Sequence, residues 1–169
     1  RPSGVNWENR ALLGYADACH RESSGRFDVT SGALRRAWDF RRDPPRVPDA
    51  REIDALLPLV DWRGVEWNDH AIRLPRSGME IDFGGIGKEY AADRAAAIAI
   101  AAGIAHGFVN LAGDVRVWGG RPEGAPWRVG IRHPRIESET IGGIEIDDGA
   151  VATSGDYERC FEVGGRHYC

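Results

Sequence analysis

Met79-Glu80-Ile81-Asp82-Phe83-Gly84-Gly85-Ile86-Gly87-Lys88-Glu89-Tyr90-Ala91-Ala92-Asp93 reads as a strand, a glycine loop and the first turns of a helix. Met79 to Phe83 supplies the strand. Gly84 to Gly87 supplies a tight loop, where missing β-carbons let a ligand approach the backbone closely. Lys88 to Ala102 then predicts a helix with Ala91, Ala95, Ile98 and Ala102 on one face and Gly103 as its stop. The start of such a helix offers unpaired N–H groups and the positive end of its dipole, and Lys88 adds a full charge. An anion suits that place. The known phosphate fingerprints do not fit, because a P-loop would need glycine at Asp82 and Ser or Thr at Glu89. A dinucleotide pattern counted from Gly85 would end at Tyr90 instead of glycine.

Upstream, Asn9 to Ser23 places Leu12, Leu13, Ala16 and Cys19 or His20 at helical spacing, and Gly25 ends the run. Gly25 to Leu34, with Trp38 beyond it, reads as a strand-to-helix corner with Thr30 or Ser31 as cap. Pro44, Pro45 and Pro48 make 41–49 the strongest linker signal and a possible internal break. Arg51 to Leu59 predicts a short helix, and Val65 to Leu74 a hairpin around Asn68-Asp69.

Downstream, strands are expected at Phe108–Leu111 and Val115–Trp118 around Ala112-Gly113-Asp114. Others are expected at Trp127–Arg132, Ile141–Ile146 and Ala150–Thr153. Phe161–Val163 and Arg166–Tyr168 flank Gly164-Gly165, a two-residue turn signal. That turn sets Cys160 opposite Cys169, and free thiols are the expectation there. Helices first, one long helix in the middle and hairpins after it predict an α+β fold with a mostly antiparallel sheet.

Composition narrows the classes. The chain has 169 residues, 42% hydrophobic and 28% charged, enough for a buried core. The net charge is −4, with no basic excess, so neither nucleic acid nor a membrane surface is indicated as a partner. The longest apolar run, Ala95 to Ile104, is too short to span a bilayer. Three cysteines without Cys-x-x-Cys spacing give neither a disulfide framework nor a zinc pattern. The chain begins at Arg1 without Met, so it is expected to be a processed or cut product.

Two further loops complete the motif set. Val109-Asn110-Leu111-Ala112-Gly113-Asp114 serves equally as a plain hairpin turn stabilised by Asp114. Ala150-Val151-Ala152-Thr153-Ser154-Gly155-Asp156-Tyr157 is a polar loop open to close approach. In order, then, come Phe-Asp-x-Thr with a following Trp, Asp-x-Gly-Gly-Ile-Gly-Lys-x-Tyr-Ala-x-Asp, Asn-Leu-Ala-Gly-Asp, Trp-x-Val-Gly-Ile and Ala-Thr-Ser-Gly-Asp-Tyr. That series resembles the ApbE family of bacterial FAD:protein FMN transferases, from about Gly25 to Cys169.

The resemblance implies a Mg²⁺-dependent enzyme that splits the FAD pyrophosphate, transfers FMN to a Thr or Ser hydroxyl of a partner flavoprotein and releases AMP. It implies FAD contacts at Asp82 and Lys88 and a Mg²⁺-facing carbonyl at Gly85, where the family commonly has Ala. It implies a flavin site lined or shaped by Trp38, Asn110, Gly113, Thr153, Ser154 and Tyr157. The acceptor is expected to carry an Asp-x-x-Ser/Thr-Gly-Ala-Thr/Ser motif. Asp28-Val29-Thr30-Ser31-Gly32-Ala33-Leu34 nearly matches that motif, but Leu34 stands where the accepting hydroxyl belongs. Relative to the family, an N-terminal FAD-contacting region and a C-terminal region with Asp and Thr ligands for Mg²⁺ are expected to be missing from these 169 residues. The chain is therefore expected to be a central portion, inactive by itself. The competing readings are an FAD-binding or FAD-hydrolysing relative that modifies no protein, and a non-catalytic scaffold. The compartment stays open, since the family includes both exported lipoproteins and soluble forms.

Overall fold

The computed structural model of the chain describes residues 2–136, 138–155 and 159–169. Its helices are α1 (Trp7–Glu22), α2 (Ala50–Leu56) and α3 (Gly87–Ala101). Its first strands are β1 (Ser3–Gly4), β2 (Glu66–Trp67), β3 (Ala71–Arg73), β4 (Gly107–Leu111) and β5 (Asp114–Trp118). Then come β6 (Trp127–Arg132), β7 (Thr140–Ile146), β8 (Gly149–Val151), β9 (Phe161–Val163) and β10 (Arg166–Tyr168). Every ladder is antiparallel, as expected of this α+β fold. The chain divides into two compact units, Arg1–Gly85 with Phe161–Tyr168, and Ile86–Cys160 with Cys169. Residues 41–49 lie within the first. Among the described residues no helix is long and apolar enough to cross a membrane.

In the first unit, α1 starts two residues before the expected Asn9, because Asn6 caps it by accepting the Asn9 N–H at 2.8 Å. The helix buries Leu13 and Ala16. A capping box of Asp49 and Glu52 starts α2. Hydrogen bonds from Arg46, then the Asp49 N–H, hold the Glu52 carboxyl down to about 2. Asn68 accepts the amides of His70 and Ala71 at 2.9 and 3.0 Å, closing the turn that pairs β2 with β3.

Met79 to Phe83 does not form the expected ladder strand. It makes a single parallel bridge, Ser31 to Glu80, and one bond from the Asp82 amide to the Val29 carbonyl at 2.7 Å. The neighbouring chain turns away after Ser31 into a 3₁₀ helix, Gly32–Arg36, so no further pairing is available.

Asp28 joins this corner to the rest of the unit. Its Oδ1 accepts from the Thr30 N–H at 2.8 Å and the Thr30 hydroxyl at 2.6 Å, and its Oδ2 from the Trp62 N–H at 3.0 Å. Thr30, fully buried, accepts in turn from the Asp61 N–H at 2.7 Å. Ser31 sits at the 3₁₀ N-cap but makes no side-chain cap bond. The β9–β10 hairpin also belongs to this unit, with Gly164 and Gly165 both at positive φ, 59° and 71°, and Val163 opposite Arg166. Cys19, Cys160 and Cys169 are free thiols.

In the second unit, β4, β5 and β8 form one sheet and β6 and β7 a separate ribbon. Ala112 and Gly113, at φ 54° and 100°, make the two-residue β4–β5 turn that leaves Leu111 opposite Asp114. Strand β5 is the most buried, with Val117 1% and Trp118 5% exposed. Gly107 faces Trp118 across the ladder, where a β-carbon would lie 2.4 Å from the indole ring. Helix α3 buries Ala92 and Ala96 instead of the expected face, and Ile98 is 62% exposed. Apolar residues occur all round this helix, so their period selects no side.

The Asp28 network generates a stability prediction. Asp28→Ala removes three acceptor bonds at a mostly buried site and should cost about 3 kcal/mol in urea unfolding. A loss below about 1 kcal/mol would mean that these bonds contribute little beyond those that water could make.

Candidate functional site

The first unit holds Trp38, Asp82 and Gly85. Asp82 is fully engaged. Its Oδ1 accepts the Gly84 N–H at 2.8 Å, which bends the chain into the glycine loop. Its Oδ2 meets the Arg35 guanidinium at 2.8 Å, and the same Arg35 pairs with Glu80. Gly32 lies so close behind that a β-carbon there would sit 3.1 Å from the Asp82 Cβ and from the Glu80 carbonyl oxygen. Residues 29–35 therefore back the loop that carries Asp82. Gly85 is exposed, with Phe27 beside it. A Gly85 β-carbon would lie 3.1 Å from the Phe27 ring. Trp38 packs among Phe40, Phe161 and Tyr168, with ring centroids 6.3, 6.4 and 6.1 Å from its own.

The second unit brings Lys88, Asn110, Gly113 and Thr153 together around one residue, Asp114. The Lys88 ammonium, in the first turn of α3, pairs with the Asp114 Oδ2. The Thr153 N–H donates to the Asp114 Oδ1 at 3.0 Å. The Thr153 hydroxyl donates to the Gly113 carbonyl at 3.2 Å, and the Gly113 N–H to the Asn110 Oδ1 at 2.9 Å. The side chain of Asp114 is only 3% exposed, whereas that of Lys88 is 47% exposed. Ser154 is exposed, and Tyr157 lies outside the described residues.

The sequence marks Asp114 only as a turn residue. Its partner Thr153 is 39 residues away, and nothing local signals that pairing. The one available hint was an acidic residue directly after a turn that needs no charge.

The chemistry these groups allow is electrostatic. Burial alone would raise the Asp114 pKa. The hydrogen bond from Lys88, the Thr153 amide and the Lys88 charge outweigh it and hold the carboxyl below its usual range. A cleft of about 40 Å³ beside Asp114, lined by Glu89, Asp93 and Arg116 among others, has room for water but not for a flavin. Ile86 at the α3 N-cap makes no side-chain cap bond.

The described residues do not by themselves fit a Mg²⁺ site. No group of three or more His, Cys, Asp or Glu among them is arranged for a metal. Both Asp82 oxygens already have partners, and a Gly85 carbonyl would bring no charge, whereas Mg²⁺ is usually held by carboxylates together with substrate phosphates.

The sign of the Asp114 shift gives a pH prediction. A carboxyl whose folded pKa is depressed contributes stability above its unfolded value and loses it as pH falls through the folded value. The stability gap between wild type and Asp114→Asn should be level near neutrality and shrink below about pH 4, measured by urea midpoints across pH. A gap that stays constant into strong acid would show that Asp114 is not ionised in the fold.

The chain matches the sequence model of the ApbE family over residues 2–169. It is 29% identical to a Vibrio cholerae serotype O1 protein named FAD:protein FMN transferase, over 99% of this chain and 51% of that one. It is 36% identical to a Rhodobacter capsulatus protein of the same name, over 88% of this chain and 28% of that one. Its backbone superposes on the crystal structure of the ApbE protein from Thermotoga maritima with a TM-score of 0.88 and 38% identity, covering 99% of this chain and 55% of that one. The chain thus spans about half the length of the Vibrio and Thermotoga proteins. With the family pattern matched from residue 2 to residue 169 and its fold shared with a solved family member, the chain belongs to the ApbE family.

Proposed function

We propose that the protein carrying this chain transfers FMN from FAD to a Thr or Ser hydroxyl of a partner flavoprotein. The hydroxyl oxygen would form a bond to the FMN phosphorus. The bond from that phosphorus to the bridging oxygen would break, and AMP would leave with the electron pair. The hydroxyl proton passes to solvent. The observation that carries this reading is the family match over 2–169 to relatives named for that reaction.

The site geometry supports it at Lys88. Nearly half of that side chain faces solvent while Asp114 holds its ammonium from behind. A pyrophosphate meeting Lys88 and the α3 N-terminus would find fixed positive charge for its developing negative charge. In this reading Asp82 acts mainly by shaping the Gly84–Gly85 turn against which FAD lies. Asn110, Gly113 and Thr153 act by forming the wall beside Lys88, and Trp38, Ser154 and Tyr157 would line the flavin. Mg²⁺, when bound, would supply charge to the phosphates. Gly85 would offer it a carbonyl, and the remaining ligands would come from outside the described residues. The acceptor would carry an Asp-x-x-Ser/Thr-Gly-Ala-Thr/Ser motif.

Asp28 to Leu34 is not such an acceptor in this chain. The Thr30 hydroxyl is buried and bonded, and residue 34 is Leu.

Three measurements test the reading. Incubation of the protein with FAD, Mg²⁺ and an acceptor domain should add the mass of FMN to the acceptor. Free FMN and AMP with an unmodified acceptor would favour a hydrolase instead. Lys88→Ala should weaken FAD binding about tenfold, the size of one charge-assisted hydrogen bond. In a tryptic digest of the protein after that incubation, the peptide from Phe27 to Arg35 should carry no FMN; a flavinylated peptide would contradict the burial argument.

A further inference from the structure

Asp114 opens β5 and reaches two other elements with one buried carboxylate. Its Oδ2 pairs with Lys88 on α3, and its Oδ1 accepts from Thr153 beyond β8. A lysine on a flexible four-carbon stem loses substantial rotamer entropy when it is placed for a ligand. Here much of that freedom is already removed by the fold. The Thr153 hydroxyl ties the same segment to the Gly113 carbonyl, so Thr153 is held from both its N–H and its side chain.

On the FMN-transfer reading, on which the inference rests, we infer that Asp114 is a positioning residue. It holds the Lys88 ammonium where FAD phosphate can meet it, and it sets the neighbouring Thr153 backbone in the same register. Asp114 does not touch the substrate; it acts through Lys88. A carboxylate that only closed the β4–β5 turn would have no bearing on what Lys88 does.

That difference is measurable as a coupling. Asp114→Asn keeps an oxygen to accept from Thr153 but turns an amide towards the ammonium, so Lys88 swings away. FAD affinity is read by quenching of flavin fluorescence in four proteins: wild type, Lys88→Ala, Asp114→Asn and the double variant. Lys88→Ala should weaken binding about tenfold in the wild-type background and less than about twofold in the Asp114→Asn background. Asp114→Asn alone should reproduce most of the Lys88→Ala loss. If its circular dichroism departs from wild type, the same cycle is read with Asp114→Ser, whose hydroxyl can still accept from Thr153. Equal losses from Lys88→Ala in both backgrounds would overturn the inference and leave the functional reading standing. A wild-type protein that binds no FAD would defeat the functional reading, and the inference with it.

Discussion

A carboxylate removed from water must find a donor or a cation for each oxygen, since an ion left uncompensated in a low-dielectric interior is strongly unfavourable. Each compact unit of this chain contains one side chain that meets that demand across distant segments. In the first, Asp28 gathers Thr30 and the Trp62 amide. In the second, Asp114 gathers Lys88 and the Thr153 amide. Neither is replaceable by a residue of similar size without leaving a donor or a cation unanswered.

The consequences for the site follow from how these anchors divide the work. Asp28 and Thr30 fix the start of the segment that runs behind Asp82, and Arg35 and Gly32 complete that backing. The glycine loop is thereby shaped from behind, and β-carbons at Gly84 and Gly85 would crowd the Asp82 Oδ1 and the Phe27 ring at 3.0 and 3.1 Å. Asp114 holds the ammonium tip of Lys88 while much of the lysine side chain stays exposed. A charge placed in advance costs less reorganisation when a polyanion arrives than one recruited from solvent.

Much of this was legible in the sequence where the cause is local. Gly164-Gly165 announces a tight turn with Val163 opposite Arg166 as expected, whereas the β4–β5 turn is one residue shorter than the expected Ala112-Gly113-Asp114, because Asp114 pairs with Leu111. The Asn68 turn acts within three positions and is a signal of the same local kind; the Asp49–Glu52 capping box of α2 is equally local but was not among the expectations. The rest of what escaped is long-range. Met79 to Phe83 has strand composition, but whether it finds a ladder depends on the path of the chain around Ser31, 49 residues before its partner Glu80. The buried face of α3 could not be chosen from a helix with alanine on every side. The anchoring roles of Asp28 and Asp114 depend on amides 34 and 39 residues away. Of the candidate site, the residue types at Lys88 and Thr153 were visible. The carboxylate that brings them together was not.

The most direct test of the site is amide hydrogen exchange with and without FAD in the protein that carries this chain. Slowed exchange at Gly84 to Lys88 and at Thr153 and Ser154 is the expected result, with the remaining strands of the second unit unchanged. Protection confined to other segments, or none despite demonstrated FAD binding, would contradict the placement of the flavin phosphates at the α3 N-terminus.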